Sequence, residues 1–376
     1  MKLWEVPGQA HATQVLRDAV ERGQVGHAWA FVGPAEIGQT ALARSLAAAL
    51  NCEVAPAGCG VCSVCTRTLR GVHPALWEFA PTGATHRVGD VRDSWLRVAS
   101  RTSAEGHYKV LRILDADRLN DAAANAFLKM LEEPPETTVW ILELADPEEL
   151  PDTILSRCRV VRVAPWDRDT MRAEATASGA PADADRELAV RAAMGRPGRL
   201  RSLLHSGGLA DLKRHRQIPR ALRDQGPGFA LMASKELDEE MKRAVASVRE
   251  EADREIAELA DVNGGAPPRD IVRQIEQRSS RAEREIKTVV AQTALDDLAG
   301  WYRDVLLVRR GGEPSTAIHA DDASGLRADA EALSERALLA ALDAVFLRRE
   351  QLEFNVQLSL AVEALLLELS SLALEG

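Results

Sequence analysis

FVGPAEIGQTALARSLAAAL, Phe31 to Leu50, joins an apolar strand to an Ala/Leu-rich helix through a turn built on Gly33, Pro34 and Gly38. In loops of the GxxxxGK[ST] type, glycines let backbone N–H groups curl around phosphates at the N-terminus of a helix. Gly33, Gly38 and Thr40 keep that spacing, and Gln39 stands where the lysine would be. The cradle is present without its main positive charge. An ordinary glycine-bearing turn of an α/β domain would read much the same over this segment alone.

Working outward, an amphipathic segment from about His11 to Arg22, with Val15, Ala19 and Val20 on one side, precedes the first strand at Trp29 to Val32. Beyond the loop helix the chain reads as a strand at Ala75 to Phe79 and a second at Val110 to Leu114, ending in Asp115. A helix follows from about Asp121 to Glu133, stopped by Pro134 and Pro135. Strands at Thr138 to Leu144 and Arg159 to Val163 complete the pattern. Alternating strands and helices of this kind predict a parallel sheet with its ligands at the carboxyl ends of the strands.

In a working ATPase of this layout, an aspartate at the end of the acidic strand holds Mg²⁺ and a neighbouring glutamate polarises water. Asp115 can hold a metal, but Ala116 follows it, and alanine orients nothing. Asp117, one residue beyond Ala116, would on an extended strand point to the face opposite the Ala116 position. Gly33, Gly38, Gln39, Thr40 and Asp115 are therefore a degenerate nucleotide site by sequence. The expectation is that this chain has no ATPase activity of its own.

Cys52, Cys59, Cys62 and Cys65 place four thiols within fourteen residues, and Cys158 stands apart. Four thiolates in a short loop suit a tetrahedral structural Zn²⁺ site, with redox use of a CxxC pair as the rival reading. Cys158 is expected to be a small buried apolar group. Arg157, in Ser156-Arg157-Cys158, is either a surface ion-pair partner or, in a ring, an arginine reaching the phosphate held by a neighbour.

The 376 residues suffice for two or three domains. A formal net charge of −10 argues against a broad nucleic-acid-coating surface, and 4% aromatic residues argue against base-stacking platforms. Neither a membrane-spanning run nor a signal-peptide core is visible, so the cytoplasm is the expected compartment. Past Pro165 the chain turns helical. Short helices occupy 166–208, a strongly charged stretch runs from Glu236 to Ala260, and NGGAPP (Asn263 to Pro268) reads as its turn. Leu295, Leu298, Tyr302 and Leu306, then Leu338, Leu342, Val345 and Phe346, then a leucine-rich segment from about Asn355 to Leu374, give successive amphipathic helices.

GPAEIGQT, VLRILDADRLN, NAFLKMLEEPPETTVWIL, LPDTILSRC and the CxxCxxC insert together resemble the clamp-loader AAA+ proteins of bacterial replication. Within that family the pattern is similar to the delta-prime branch of DNA polymerase III, of actinobacterial type. The resemblance is strongest over residues 1–205 and weaker over the C-terminal helices, where NVQLSLAVEALLLEL looks like the end of a collar domain. It implies an α/β AAA+ P-loop-type core with a zinc-binding insert over 1–165, a small helical lid over 166–208, and an all-α C-terminal collar over 209–376. It also implies a non-hydrolysing stator subunit of a hetero-oligomeric ring, beside gamma/tau ATPase subunits and a delta subunit, loading a sliding clamp on primer-template DNA. Zinc would sit on Cys52, Cys59, Cys62 and Cys65, ATP would be bound by the neighbours, and Arg157 would act in trans on that ATP. The alternatives are an active gamma/tau-like ATPase subunit and a degenerate AAA+ adaptor that only binds proteins.

Overall fold

The computed structural model describes residues 2–81, 85–100, 105–179, 183–205, 207–263, 269–352 and 356–375. Of the turn expected at NGGAPP, Asn263 is the last residue of a helix, and 264–268 lie outside the described residues. Two compact units emerge: Met1–Ala182 with Ala193–Leu204, and Asp183–Ala192 with His205–Gly376.

The first unit is built on five parallel strands: β1 (Ala28–Val32), β2 (Leu76–Phe79), β3 (Lys109–Ile113), β4 (Thr138–Leu144) and β5 (Arg159–Arg162). Their order across the sheet is β2-β3-β4-β1-β5. The near-continuous apolar runs of β1 and β4 follow from burial on both faces, and Trp29, Phe31, Trp140 and Leu142 are fully buried. Helix Ala10–Glu21 buries Ala12, Leu16, Ala19 and Val20, while Val15 is half-buried. The loop helix Gln39–Leu50 is rich in alanine, whose small side chain permits close approach to the sheet, and Ala43, Ala47, Ala48 and Ala49 are buried. Helix Asp121–Glu132 starts where the Asn120 side chain accepts from Ala123 N–H at 2.9 Å, and it inserts Phe127 between Trp95 and Trp140. An edge-to-face aromatic row thereby ties that helix to the sheet.

The second unit is helical. Its long antiparallel pair, Pro227–Asn263 and Arg269–Arg309, absorbs the charged stretch. The second of the pair packs from Ala291 to Val305 against Glu335–Gln351 and Leu358–Glu375, around Leu298, Trp301, Val345, Leu365 and Leu366. Gly311, at φ +83°, reverses the chain after Arg309. Among the described residues no helix is long and apolar enough to cross a membrane.

One buried ion cluster makes this unit pH-sensitive. His215 is fully buried, with Nδ1 2.9 Å from Asp297 Oδ2 and Nε2 3.2 Å from Glu240 Oε2, and Arg214 also binds Glu240. Burial alone would lower the imidazolium pKa, but hydrogen bonds and charge from Asp297 and Glu240 outweigh it and raise the value to about 9. A pKa raised above its unfolded value gives stability that is complete below about 6.5 and lost as the pH rises through the folded value. Calorimetry between pH 7 and 10 is expected to register a loss on the order of 3 kcal/mol from this group. A His215→Ala chain, less stable at pH 7, should lack that alkaline slope.

Candidate nucleotide loop and cysteine cluster

Because all five strands are parallel, the segments that follow β1, β3 and β4 emerge at one edge of the sheet. Gly33 leaves β1 there with its N–H bonded to the Leu144 carbonyl at 3.0 Å. A Cβ on Gly33 would stand 2.1 Å from the Val163 carbonyl oxygen, so only glycine fits. Gly38 sits at φ +134°, a conformation that side chains resist, and opens the loop helix. The Ile37 carbonyl is fixed from outside by Trp166 Nε1 at 2.8 Å and Gln9 Nε2 at 2.9 Å.

Gln39 lies folded into the loop it belongs to. It is 4% exposed, and its Oε1 accepts from Ile37 N–H at 3.1 Å. Its Nε2 donates to the Pro34 carbonyl at 2.6 Å and the Gly33 carbonyl at 3.4 Å. The amide thus occupies the Ile37 N–H, a donor of the kind that a phosphate-type loop turns to its ligand, and ties itself to the loop through two carbonyls. Gln39→Lys removes this competition and restores a cation. Since a charged hydrogen bond contributes about 1.5–3 kcal/mol, affinity for a fluorescent ATP analogue should rise roughly tenfold or more.

Beneath the loop lies a network that the sequence reading missed. Arg112, the penultimate residue of β3, is 1% exposed, and its Nη2 donates to Thr40 Oγ1 at 2.9 Å. The same guanidinium binds Glu143 of β4 through Nε at 2.8 Å and pairs with Glu78 of β2 through Nη1. Burial holds the Glu143 carboxyl above the usual carboxylate range, against the pull of Arg112. The available signal was a charged residue interrupting each of two buried apolar runs, VLRIL and VWILEL.

Asp115 is exposed at the same sheet edge, two residues past β3, with a left-handed φ of +48°. That bend corrects the reading of Asp117 as extended strand. Residues Ala116–Arg118 form a 3₁₀ turn, and the Asp117 carboxylate accepts from Ala145 N–H at 2.9 Å, tying the end of β3 to the end of β4.

Arg157 lies elsewhere. It precedes β5, whose first residue, Arg159, is in register with Trp29. Gly33 is four residues further along β1, so at about 3.3 Å per residue the loop is over 13 Å away along the strand direction. Arg157 therefore belongs to the amino edge of the sheet and the loop to its carboxyl edge. The Arg157 side chain is 37% exposed, with Nη2 2.7 Å from Glu132 Oε1 and Nη1 2.7 Å from the Thr153 carbonyl.

Cys52, Cys59, Cys62 and Cys65 converge, with their sulfurs within 4.8 Å of one another. Cys59 Sγ and Cys65 Sγ are 4.0 Å apart, close to the roughly 3.8 Å edge of a tetrahedron with 2.3 Å metal–sulfur bonds. Three sulfurs accept backbone N–H groups: Cys59 N–H to Cys52, Cys62 N–H to Cys59, and Cys65 N–H to Cys62, at 3.3, 3.3 and 3.4 Å. Such donors stabilise thiolates, and hydrogen bonds from Val61 and Cys62 bring the Cys59 thiol down to about 6. The donor set fits a structural metal ion. Cys65 and Leu69 of helix Ser63–Arg70 pack on Ala48 of the loop helix, so the cluster folds a knob against that helix. Cys158 packs on the sheet core, and burial pushes its thiol up to about 12, as an inert group requires.

A five-stranded parallel sheet with a phosphate-type loop after β1, between β4 and β5, followed by a largely helical region, defines an AAA+-like P-loop architecture. Residues 8–167 match the family described as DNA polymerase III, delta subunit. The chain is 37% identical over 170 residues to the tau subunit of DNA polymerase III from Escherichia coli, covering 45% of this chain and 26% of that protein. It is 36% identical over 156 residues to the gamma/tau subunit of Mycobacterium bovis, covering 41% of this chain and 27% of that protein. It thus spans about a quarter of the length of these relatives. Among solved structures it is similar to a DNA polymerase III gamma subunit-related protein from Thermotoga maritima, with TM-score 0.46, 15% identity, and coverage of 96% of this chain and 99% of that one. Over its N-terminal part this chain is thus similar to the tau and gamma subunits of DNA polymerase III.

That kinship corrects the expectation that the chain lacks an ATPase activity of its own. The matched relatives are tau and gamma subunits, the side of the family that the resemblance reads as motors. The physical reason is that Gln39 and Ala116 change the charge and the water-orienting group without removing the cradle. Gly33 and Gly38 keep the backbone conformation of such a loop, and Thr40 follows at the start of its helix.

Proposed function

We propose that this chain is an AAA+ subunit of a bacterial DNA polymerase III clamp loader, held in the ring by its C-terminal helical unit, and that Arg157 acts on nucleotide bound by a neighbouring subunit. The observation that carries the trans role is topological. Arg157 stands at the amino edge of the sheet and the chain's own loop at the carboxyl edge, so Arg157 is badly placed to serve that loop and well placed to serve another. Identity with tau and gamma subunits favours a gamma/tau-like seat in which the loop handles ATP, with Asp115 at the same sheet edge to hold Mg²⁺. The folded-in Gln39 favours instead the delta-prime seat, between gamma/tau and delta subunits. Zn²⁺ on Cys52, Cys59, Cys62 and Cys65 is structural in either seat. The sliding clamp and primer-template DNA are engaged through the assembled ring, with DNA contacts to backbone phosphates.

The test mixes the chain with separately purified gamma/tau and delta subunits, clamp and primer-template DNA, and reads assembly by mass and ATP turnover by phosphate release. Arg157→Ala should leave the mass unchanged and lower turnover at the neighbouring site by at least tenfold, since trans-acting arginines contribute about 10³-fold or more. Unchanged turnover would remove the trans role. Turnover by the chain alone assigns it the gamma/tau-like seat. Failure to assemble would leave an adaptor that binds other proteins.

A further inference from the structure

Glu132 closes helix Asp121–Glu132 and stands against Arg157. We propose that Glu132 is a positioning residue for Arg157, fixing its guanidinium in the orientation that meets a neighbour's phosphate; this rests on the trans role given above. Two acceptors from different elements hold the fork. Glu132 Oε1 takes Nη2 and the Thr153 carbonyl takes Nη1, both at 2.7 Å. Around the short helix Asp152–Leu155, the following N–H groups of Ser156 and Arg157 go to the Asp152 and Ile154 carbonyls, so the Thr153 oxygen is left for side chains, Arg157 and the Ser156 hydroxyl. A helix-end carbonyl of that kind is a fixed acceptor.

A guanidinium carries five N–H donors, and this pair of bonds uses two. Nε–H and one hydrogen on each terminal nitrogen remain for an incoming anion, on a side chain that stays 37% exposed. A long side chain that docks from free solution loses its rotamer freedom at that moment, whereas one already fixed at two points does not. The Glu132 side chain is 52% exposed, so its truncation uncovers little buried surface. The opposite use of the same contact, a latch that holds Arg157 back, predicts the opposite sign.

The experiment uses the assembled ring with Glu132→Ala, Glu132→Gln and Glu132→Asp in this chain. Glu132→Ala should lower kcat for ATP at the neighbouring site by about tenfold, with KM and ring mass little changed. Glu132→Gln, which keeps an oxygen acceptor, should recover part of the loss. In an Arg157→Ala background Glu132→Ala should add nothing, because the effect passes through Arg157. A rise in turnover, no change, or an equal loss in the Arg157→Ala background overturns the proposal. Should Arg157→Ala by itself leave turnover intact, the trans role fails and Glu132 with it; loss with Arg157→Ala but none with Glu132→Ala rejects Glu132 alone.

Discussion

Metal removal with a strong chelator is expected to unfold the cysteine knob while the sheet survives. Cys52 to Cys65 span a segment with no strand and only the first turn of the helix Ser63–Arg70, whose cap is the Cys62 sulfur itself. Apolar burial there is small: Cys65 and Leu69 against Ala48, with Leu3 alongside. Such a segment cannot offset its conformational entropy through packing, so the metal must supply most of its folding energy, on the order of 10 kcal/mol for a site of this type. Cys65→Ser, at the most buried ligand, should have the same effect as chelation. The measurements are metal content by mass spectrometry, with one zinc per chain expected, and limited proteolysis, with new cleavage inside 52–65 once the metal is gone. A chain that holds no zinc but forms a reducible disulfide between two of these cysteines would support the redox reading instead.

The strands were legible because burial on both faces leaves an unmistakable apolar run. β4 occupies Thr138–Leu144 as its sequence suggests, and helix Asp121–Glu132 stops one residue before its expected end. The cysteine cluster was legible because its ligands are local. What could not be read were contacts set by strand order. Arg112, Glu78 and Glu143 lie on three strands that are neighbours only because the sheet runs β2-β3-β4, and nothing in their spacing along the chain reports it. The seat of Gln39 was hidden for a related reason. Sequence registers the missing lysine, but only the loop's geometry turns the amide back onto Ile37, Pro34 and Gly33. Asp117 was misread because a single left-handed residue, Asp115, ends the strand early.

Arg112→Leu is expected to destabilise the N-terminal unit by about 3 kcal/mol in urea denaturation, the lower end of the range for breaking a buried ion pair. The lower end applies because Glu78, 41% exposed, can turn to water once its partner is gone, whereas Glu143, 14% exposed, cannot. The loss should depend on pH with a definite sign. Burial already raises the Glu143 carboxyl, and removing Arg112 deletes the cation that opposes this. An acid whose folded pKa is raised costs stability above its unfolded pKa, near 4.3, and the cost is relieved as protons bind. The difference between the two chains should therefore be largest at neutral pH and shrink toward pH 5. Arg112→Lys retains the charge without the fork that spans Glu78, Glu143 and Thr40, and should recover only part of the loss. Nucleotide affinity is the second readout. Thr40 Oγ1, no longer engaged by Nη2, is free to turn toward the loop, but the carboxylate beneath it gains weight against any phosphate. If Arg112 serves only the sheet, the analogue binds both chains equally; if it balances charge under the loop, binding weakens in Arg112→Leu and is restored in Arg112→Leu/Glu143→Gln.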